Sequence, residues 1–279
     1  MAATLPFTWN LEVVGAVVLL GVGLLRVIHN ARQRRIALSA LVALAAVTLW
    51  PVGYLAASVS LSIATLQRLV VMLFVAPLLL LSVPTSVLAR LTRPAPLDFV
   101  VRRLAHPGAA LVVVTLAGTA TLIPSVVDAG ARSTLARDFI LVAVLLVGVV
   151  LWIPALAVMP GTRRLSPIAR AGYVFASSLA VTSLSFVWIF ARHSMYPALR
   201  HQYALLHMTP LLDQQLAGFV AKFCCYAPMW WVAFVIFSRA DTAGTPVEES
   251  PLYWADVERE LLRADRQRVR SLRRRHFGA

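Results

Sequence analysis

Seven apolar stretches divide this chain, at roughly 9–28, 36–58, 61–89, 109–127, 139–159, 169–191 and 213–238. Each is close to or above the length of about 20 residues that a helix needs to cross a bilayer. Each is apolar all round rather than along one stripe, as a lipid-embedded helix should be. The pattern predicts an all-α integral membrane protein, a bundle of seven transmembrane helices. Pro51, Pro77, Pro84, Pro124, Pro154 and Pro228 fall inside these stretches or near their ends. Kinks are expected there, with neighbouring helices satisfying the freed backbone groups.

Polar residues order the stretches across the membrane. One set of connections carries Arg26, Arg32, Arg34, Arg35, Arg90, Arg93, Arg102, Arg103, Arg163, Arg164 and Arg170. The alternate set carries only Arg132, Arg137, Arg192 and Arg200. Eleven against four predicts, by the positive-inside rule, an N-terminus outside and a C-terminus in the cytoplasm. The membrane domain is read as 1–239 and a polar linker, ADTAGTPVEES, as 240–250. The tail, 251–279, is basic, and 251–276 reads as a cytoplasmic helix. Its acidic residues lie early and its arginines late, as the helix dipole favours. The pairs Asp256–Arg259, Glu260–Arg263 and Asp265–Arg268 are spaced to support it. This helix is read as an anchor on anionic lipid, with partner docking as the alternative.

Composition sharpens the class. The chain is 59% hydrophobic and only 14% charged, with a mean hydropathy of +0.78, far from a soluble domain. The net charge of +14 would suit a nucleic-acid binder, but it lies in loops and tail without interleaved aromatics. It therefore serves topology and lipid, and no nucleic-acid partner is expected. Cys224 and Cys225 are adjacent, so no disulfide framework is expected. The opening MAATLPFTWNLEVVG lacks the basic region and cleavage site of a signal peptide, which predicts a retained first span.

The residues that could carry chemistry are few. Glu12, Gln67, Arg68, Asp213, Gln214, Gln215 and Lys222 form a candidate intramembrane polar cluster. An ionisable residue inside a span marks a functional site by default; the plainer reading of Arg68 is snorkelling to the headgroups. Lys222, the only lysine, lies about 13 Å below Asp213 at 1.5 Å per residue. The preferred arrangement is an ion cluster of Glu12 with Arg68 or Lys222. Asp213, Gln214 and Gln215 point about 100° apart along a helix, so at least one is expected to hydrogen-bond structurally. His193, Met195, His207 and Met208 supply the imidazole and thioether that copper prefers, although their spacing matches no tight ligand pattern. Cys224 and Cys225 are read as small hydrophobes rather than ligands. There is no G-x-S-x-G elbow, HExxH, P-loop or intramembrane histidine pair, so no enzyme is expected.

Several segments together carry a resemblance: LQRLVVMLFVAPLLLLSVP (66–84), GVVLWIPAL (148–156), ARAGYVF (169–175), MYPAL (195–199) and above all DQQLAG (213–218). The chain resembles the CtaG-type cytochrome c oxidase assembly factors, a seven-helix family linked to copper insertion into the oxidase. The resemblance implies two histidines at the start of span three, spaced as H-M-x-x-H. This chain has Ala64, Thr65, Leu66, Gln67 and Arg68 there. It implies a histidine pair before the G-x-x-x-W of span five, where this chain has Arg137, Asp138, Phe139, Ile140 and Leu141. It implies Met-Trp after DQQLAG, where Ala221 and Lys222 stand.

The expectation is a non-enzymatic assembly or accessory factor of the respiratory cytochrome c oxidase in the bacterial cytoplasmic membrane. It would contact an oxidase subunit or another assembly factor and bind no cofactor at the family's usual site. One alternative is a copper chaperone with ligands relocated to His193, Met195, His207 and Met208. The other is a small-solute or ion transporter with Glu12, Arg68 and Lys222 along a polar path, disfavoured by the lack of an inverted repeat.

Overall fold

A computed structural model describes residues 11–159, 165–196 and 208–242. The expected linker beyond 242 and the tail helix lie outside the described residues, as do Arg163, Arg164, Arg200, His201 and His207. One compact unit extends to Phe237.

The described residues are helical, with no strand among them. In chain order they form α1 (Leu11–Val27), α2 (Ala31–Thr48), α3 (Val52–Ser58) and α4 (Leu61–Val70). A π-turn (Val71–Val75) leads into α5 (Ala76–Ser82), followed by α6 (Thr85–Leu91), α7 (Ala95–Leu104), α8 (Pro107–Ala120) and α9 (Pro124–Arg132). The last four are α10 (Thr134–Leu156), α11 (Pro167–Val181), α12 (Ser185–Ile189) and α13 (Pro210–Thr242).

Four stretches are long and apolar enough to cross a membrane: Leu61–Ser82, Thr134–Leu156, Pro167–Ile189 and Pro210–Ala240. α7 and α8, bent by 93°, make a fifth if they count as one span. α1 has 17 residues and α2 has 18, with Arg32, Arg34 and Arg35 in its first turns. The stretch 36–58 is therefore not one rod. It breaks before Pro51, whose ring cannot continue the α2 ladder, and resumes as α3. The stretch 109–127 breaks likewise ahead of Pro124, and 169–191 is interrupted at Thr182–Leu184.

The core forms where α10 meets the π-turn. Pro77 has no N–H to donate one turn back, and the chain responds by widening. Ala76 N donates to Val71 O, which leaves the Met72 carbonyl without its helical partner. Trp152 Nε1 takes that carbonyl at 3.0 Å. One turn before Trp152 on the same face stands Gly148. A Cβ there would lie 2.8 Å from Ala76 Cβ and 2.9 Å from both Met72 Cα and Met72 O. The GVVLW stretch thus reads as a small residue that lets two backbones approach, followed by an indole that satisfies the carbonyl exposed by the π-turn. Val71, Met72, Val75, Ala76, Val147, Leu151 and Trp152 are buried around this contact.

Gly148→Ala is accordingly expected to lower stability by about 1–3 kcal/mol through overpacking. The check is a thermal melt of the detergent-purified variant beside wild type; equal melting would mean that α10 and the π-turn are not held this closely.

Candidate functional site

The polar residues gather around the start of α4. Ser60 is its N-cap, with an extended backbone, and its hydroxyl accepts from Ile63 N at 3.3 Å. The first amides of any helix lack intrahelical partners. Here the missing acceptor is Asp213, fully buried in the first turn of α13. Its Oδ2 accepts from Leu61 N at 2.6 Å, and its Oδ1 from Ser60 Oγ at 2.8 Å, from Ser62 N at 3.3 Å and from Ser62 Oγ. One carboxylate therefore faces two helix N-termini, where the dipoles favour negative charge.

Its neighbours hold the loop after α12. Gln214 Oε1 accepts from Met195 N at 2.8 Å, and Gln215 Nε2 donates to Ala191 O at 3.3 Å. Gly218 completes DQQLAG at a close approach: a Cβ there would lie 2.7 Å from Ile189 Cγ1 and 2.8 Å from Ser185 O. Beside this loop Tyr196 is buried, donates its hydroxyl to Leu122 O at 2.8 Å and meets Trp188 edge-on at 83°. Burial pushes the Tyr196 hydroxyl up to about 12; the nearby Trp188 N–H and the positive charge of Arg68 oppose the shift, and Asp128 adds to it. Tyr196 therefore stays a neutral donor at physiological pH.

Two turns into α4 the pattern changes. Gln67 Nε2 donates to Val47 O at 2.7 Å, a carbonyl whose helical partner would have been the nitrogen of Pro51. Arg68 has no such partner. Its Nη1 is buried without a hydrogen bond, and it forms no ion pair among the described residues. It stands in the wall between two cavities of about 60 Å³ each, room for a few water-sized groups. The first is lined by Ala64, Thr65, Gln67, Arg137 and Asp138, the second by Thr65, Thr119, Trp188 and Ala221 among others. Ala64 and Arg68, the positions to which the resemblance assigns histidines, thus share the first cavity one turn apart.

Among the described residues no ion pair joins Glu12 to Arg68 or Lys222. Lys222 Nζ lies 3.4 Å from the Phe186 ring centroid and 5.0 Å from that of Tyr226, whose hydroxyl accepts from it at 3.0 Å. Aromatic faces and a phenol replace the carboxylate as its partners. Glu12 is exposed and shares a third cavity with Asp138 and Thr48. Arg137 Nε and Asp138 Oδ1, absent from the sequence-based cluster, are 3.9 Å apart. Of the copper candidates, His193 is exposed while Met195 and Met208 are half-buried. Cys225 is buried with Sγ 3.5 Å from Met229 Sδ, and Cys224 is exposed. Among the described residues no three His, Cys, Asp or Glu side chains are gathered to hold a metal ion.

Ser60, Ser62, Trp188 and Tyr196 were not anticipated as site residues. The serines carry a signal, since a serine ahead of an apolar run is a ready N-cap; Tyr196 lies in the MYPAL segment of the resemblance, and Trp188 carries no signal.

A family model described as cytochrome c oxidase caa3 assembly factor (Caa3_CtaG) matches residues 17–241, well over half of the chain. No curated protein and no solved structure matches it.

Asp213→Asn would place an amide donor among donors and is expected to cost about 1–3 kcal/mol, read as a lower Tm. Glu12→Gln, at an exposed position, should stay within about 0.5 kcal/mol of wild type. The clamp is refuted if the two variants melt alike.

Proposed function

The chain belongs to the cytochrome c oxidase caa3 assembly factor family, and from that premise we propose that it assists oxidase assembly through protein contacts without holding copper at the family's usual site. Arg68 carries this reading. It stands at the second of the two positions where the resemblance implies histidines, and its guanidinium is in the wall of the cavity those residues would share. Two unit positive charges 4 Å apart repel by about 4 kcal/mol at an effective dielectric of 20. A copper ion in that cavity would meet this repulsion with Ala64 supplying no ligand.

The scaffold that surrounds the position is built for contact rather than chemistry. The apolar helices and the family make this a multi-pass membrane protein. We place it in the bacterial cytoplasmic membrane with seven spans, the N-terminus outside and the tail in the cytoplasm, on the strength of the arginine asymmetry between connections. Its partners are an oxidase subunit or another oxidase assembly factor within the membrane, and anionic lipid at the basic tail. No catalytic step is assigned to it.

The test is the copper content of the purified protein after anaerobic Cu(I) loading, together with recovery of intact oxidase in cells lacking the chain. The expected result is copper at background and equal rescue by wild type and by a His193→Ala, His207→Ala, Met208→Ala triple variant. One tightly held copper per chain, lost with rescue in the triple variant, would overturn the proposal in favour of a chaperone whose ligands lie in the outer loop.

A further inference from the structure

The second cavity lies among α4, α8, α10 and α11–α13, and its donors and acceptors are unbalanced. Its only charged lining residue is Arg68. Most of its hydroxyls are committed to their own helices: Thr65 donates to Leu61 O at 2.8 Å, Thr115 to Leu111 O at 2.7 Å, Thr121 to Gly118 O at 2.7 Å and Thr182 to Ser178 O at 2.8 Å. Two buried donors among its lining residues make no well-formed hydrogen bond, Arg68 Nη1 and Trp188 Nε1, although the Trp188 N–H lies close enough to the Tyr196 hydroxyl to oppose its upward shift. Tyr196, packed on Trp188, directs its own proton to Leu122 O. Ser185 donates to Thr182 O, Thr119 adds one further hydroxyl, and the rest of the lining, including Leu69, Met72, Val114, Val144, Val147 and Val181, is apolar.

A half-buried guanidinium with its Nη1 fully enclosed, in a chamber lined by an indole N–H and no carboxylate, selects for negative charge. The volume, about 60 Å³, limits the occupant to one small ion. We propose that this cavity is a binding site for a single small monovalent anion, a halide or a one- or two-carbon carboxylate, held by the Arg68 guanidinium and Trp188 Nε1. The guanidinium supplies the charge and a planar fork of donors. The indole supplies one directed N–H, and the apolar walls exclude larger or multiply charged anions that need more hydration. The anion neutralises Arg68 where Glu12 and Asp213 do not, since Asp213 is engaged at the start of α4 and Glu12 is exposed. The site goes beyond the assembly reading and does not depend on it, because it requires only this chain.

The experiment follows thermal unfolding of the detergent-purified full chain at constant pH and ionic strength while chloride replaces gluconate, an anion too large for the cavity. A ligand that binds only the folded state raises Tm in a saturable way. Wild type is expected to show that rise with chloride, bromide and formate. Trp188→Phe should raise the half-saturating chloride concentration about fivefold, the loss of one hydrogen bond of roughly 1 kcal/mol. Arg68→Gln should abolish the dependence. A Tm of wild type indifferent to anion identity would overturn the proposal, and so would an undiminished rise in Arg68→Gln. Bromide anomalous scattering from wild-type crystals keeps the test open if Arg68→Gln cannot be purified. A peak within hydrogen-bonding distance of Arg68 supports the site; bromide elsewhere but none at Arg68 refutes it.

Discussion

Inside a bilayer there is no water to take up a backbone carbonyl or amide that the helix ladder leaves unmatched. This constraint organises the polar chemistry of the protein. A chain with 16 prolines creates many such groups. At Pro51 the carbonyl of Val47 loses its donor and Gln67 supplies one. At the π-turn before Pro77 the carbonyl of Met72 is exposed and Trp152 meets it. Near the C-terminal end of α10, which contains Pro154, Tyr173 reaches Leu151 O at 2.9 Å and Arg170 reaches Ala155 O at 2.8 Å. At the start of α4 one carboxylate serves the first two amides. Side chains that a motif search would shortlist as functional are largely completing interrupted helices.

Against that background Arg68 differs in kind. Gln67, Trp152, Arg170, Asp213 and Gln215 each have a backbone group to satisfy, whereas Arg68 Nη1 has none. Leaving a fully buried charge without its partner costs about 3–5 kcal/mol, and the half-buried Arg68, with Nη1 enclosed, bears a part of that cost. A chain stable to roughly 5–15 kcal/mol in total tolerates such a group only where something compensates. Lys222 shows that compensation need not be an ion pair, since the Phe186 and Tyr226 faces accept it. Arg68 lacks even that, and its position between two cavities is where a mobile counter-charge can act.

The apolar runs made the helical membrane class legible, because hydropathy is a one-dimensional property. Where the helices break was less legible. Pro51 and Pro124 each end a helix nearby, but Pro154 and Pro228 sit inside continuous helices, and only packing decides which outcome a proline has. Which side chains Arg68 and Lys222 face was not legible for a related reason. A helix apolar all round carries no stripe to fix its rotation, so depth along the axis was readable and azimuth was not. Lys222 turns its Nζ to the Phe186 ring instead. For Asp213 the opposite held: DQQLAG stood out as a unit, yet its serine partners lie 151 and 153 residues away in the chain, a pairing no local pattern contains.

The segments that carry the family resemblance also have a shared structural purpose. DQQLAG joins α13 to the start of α4 through Asp213, to the α12 loop through both glutamines, and to α12 itself through the close approach at Gly218. GVVLW sets α10 against the π-turn through Gly148 and Trp152. Both clamps position α4 and the turn that follows it, and neither involves the side chains at 64 and 68. The frame is therefore independent of what those two positions present to the cavity. Ala64 and Arg68 therefore sit in a frame that the two clamps hold without them. What the resemblance transmits directly is the frame; the chemistry at its centre belongs to Arg68.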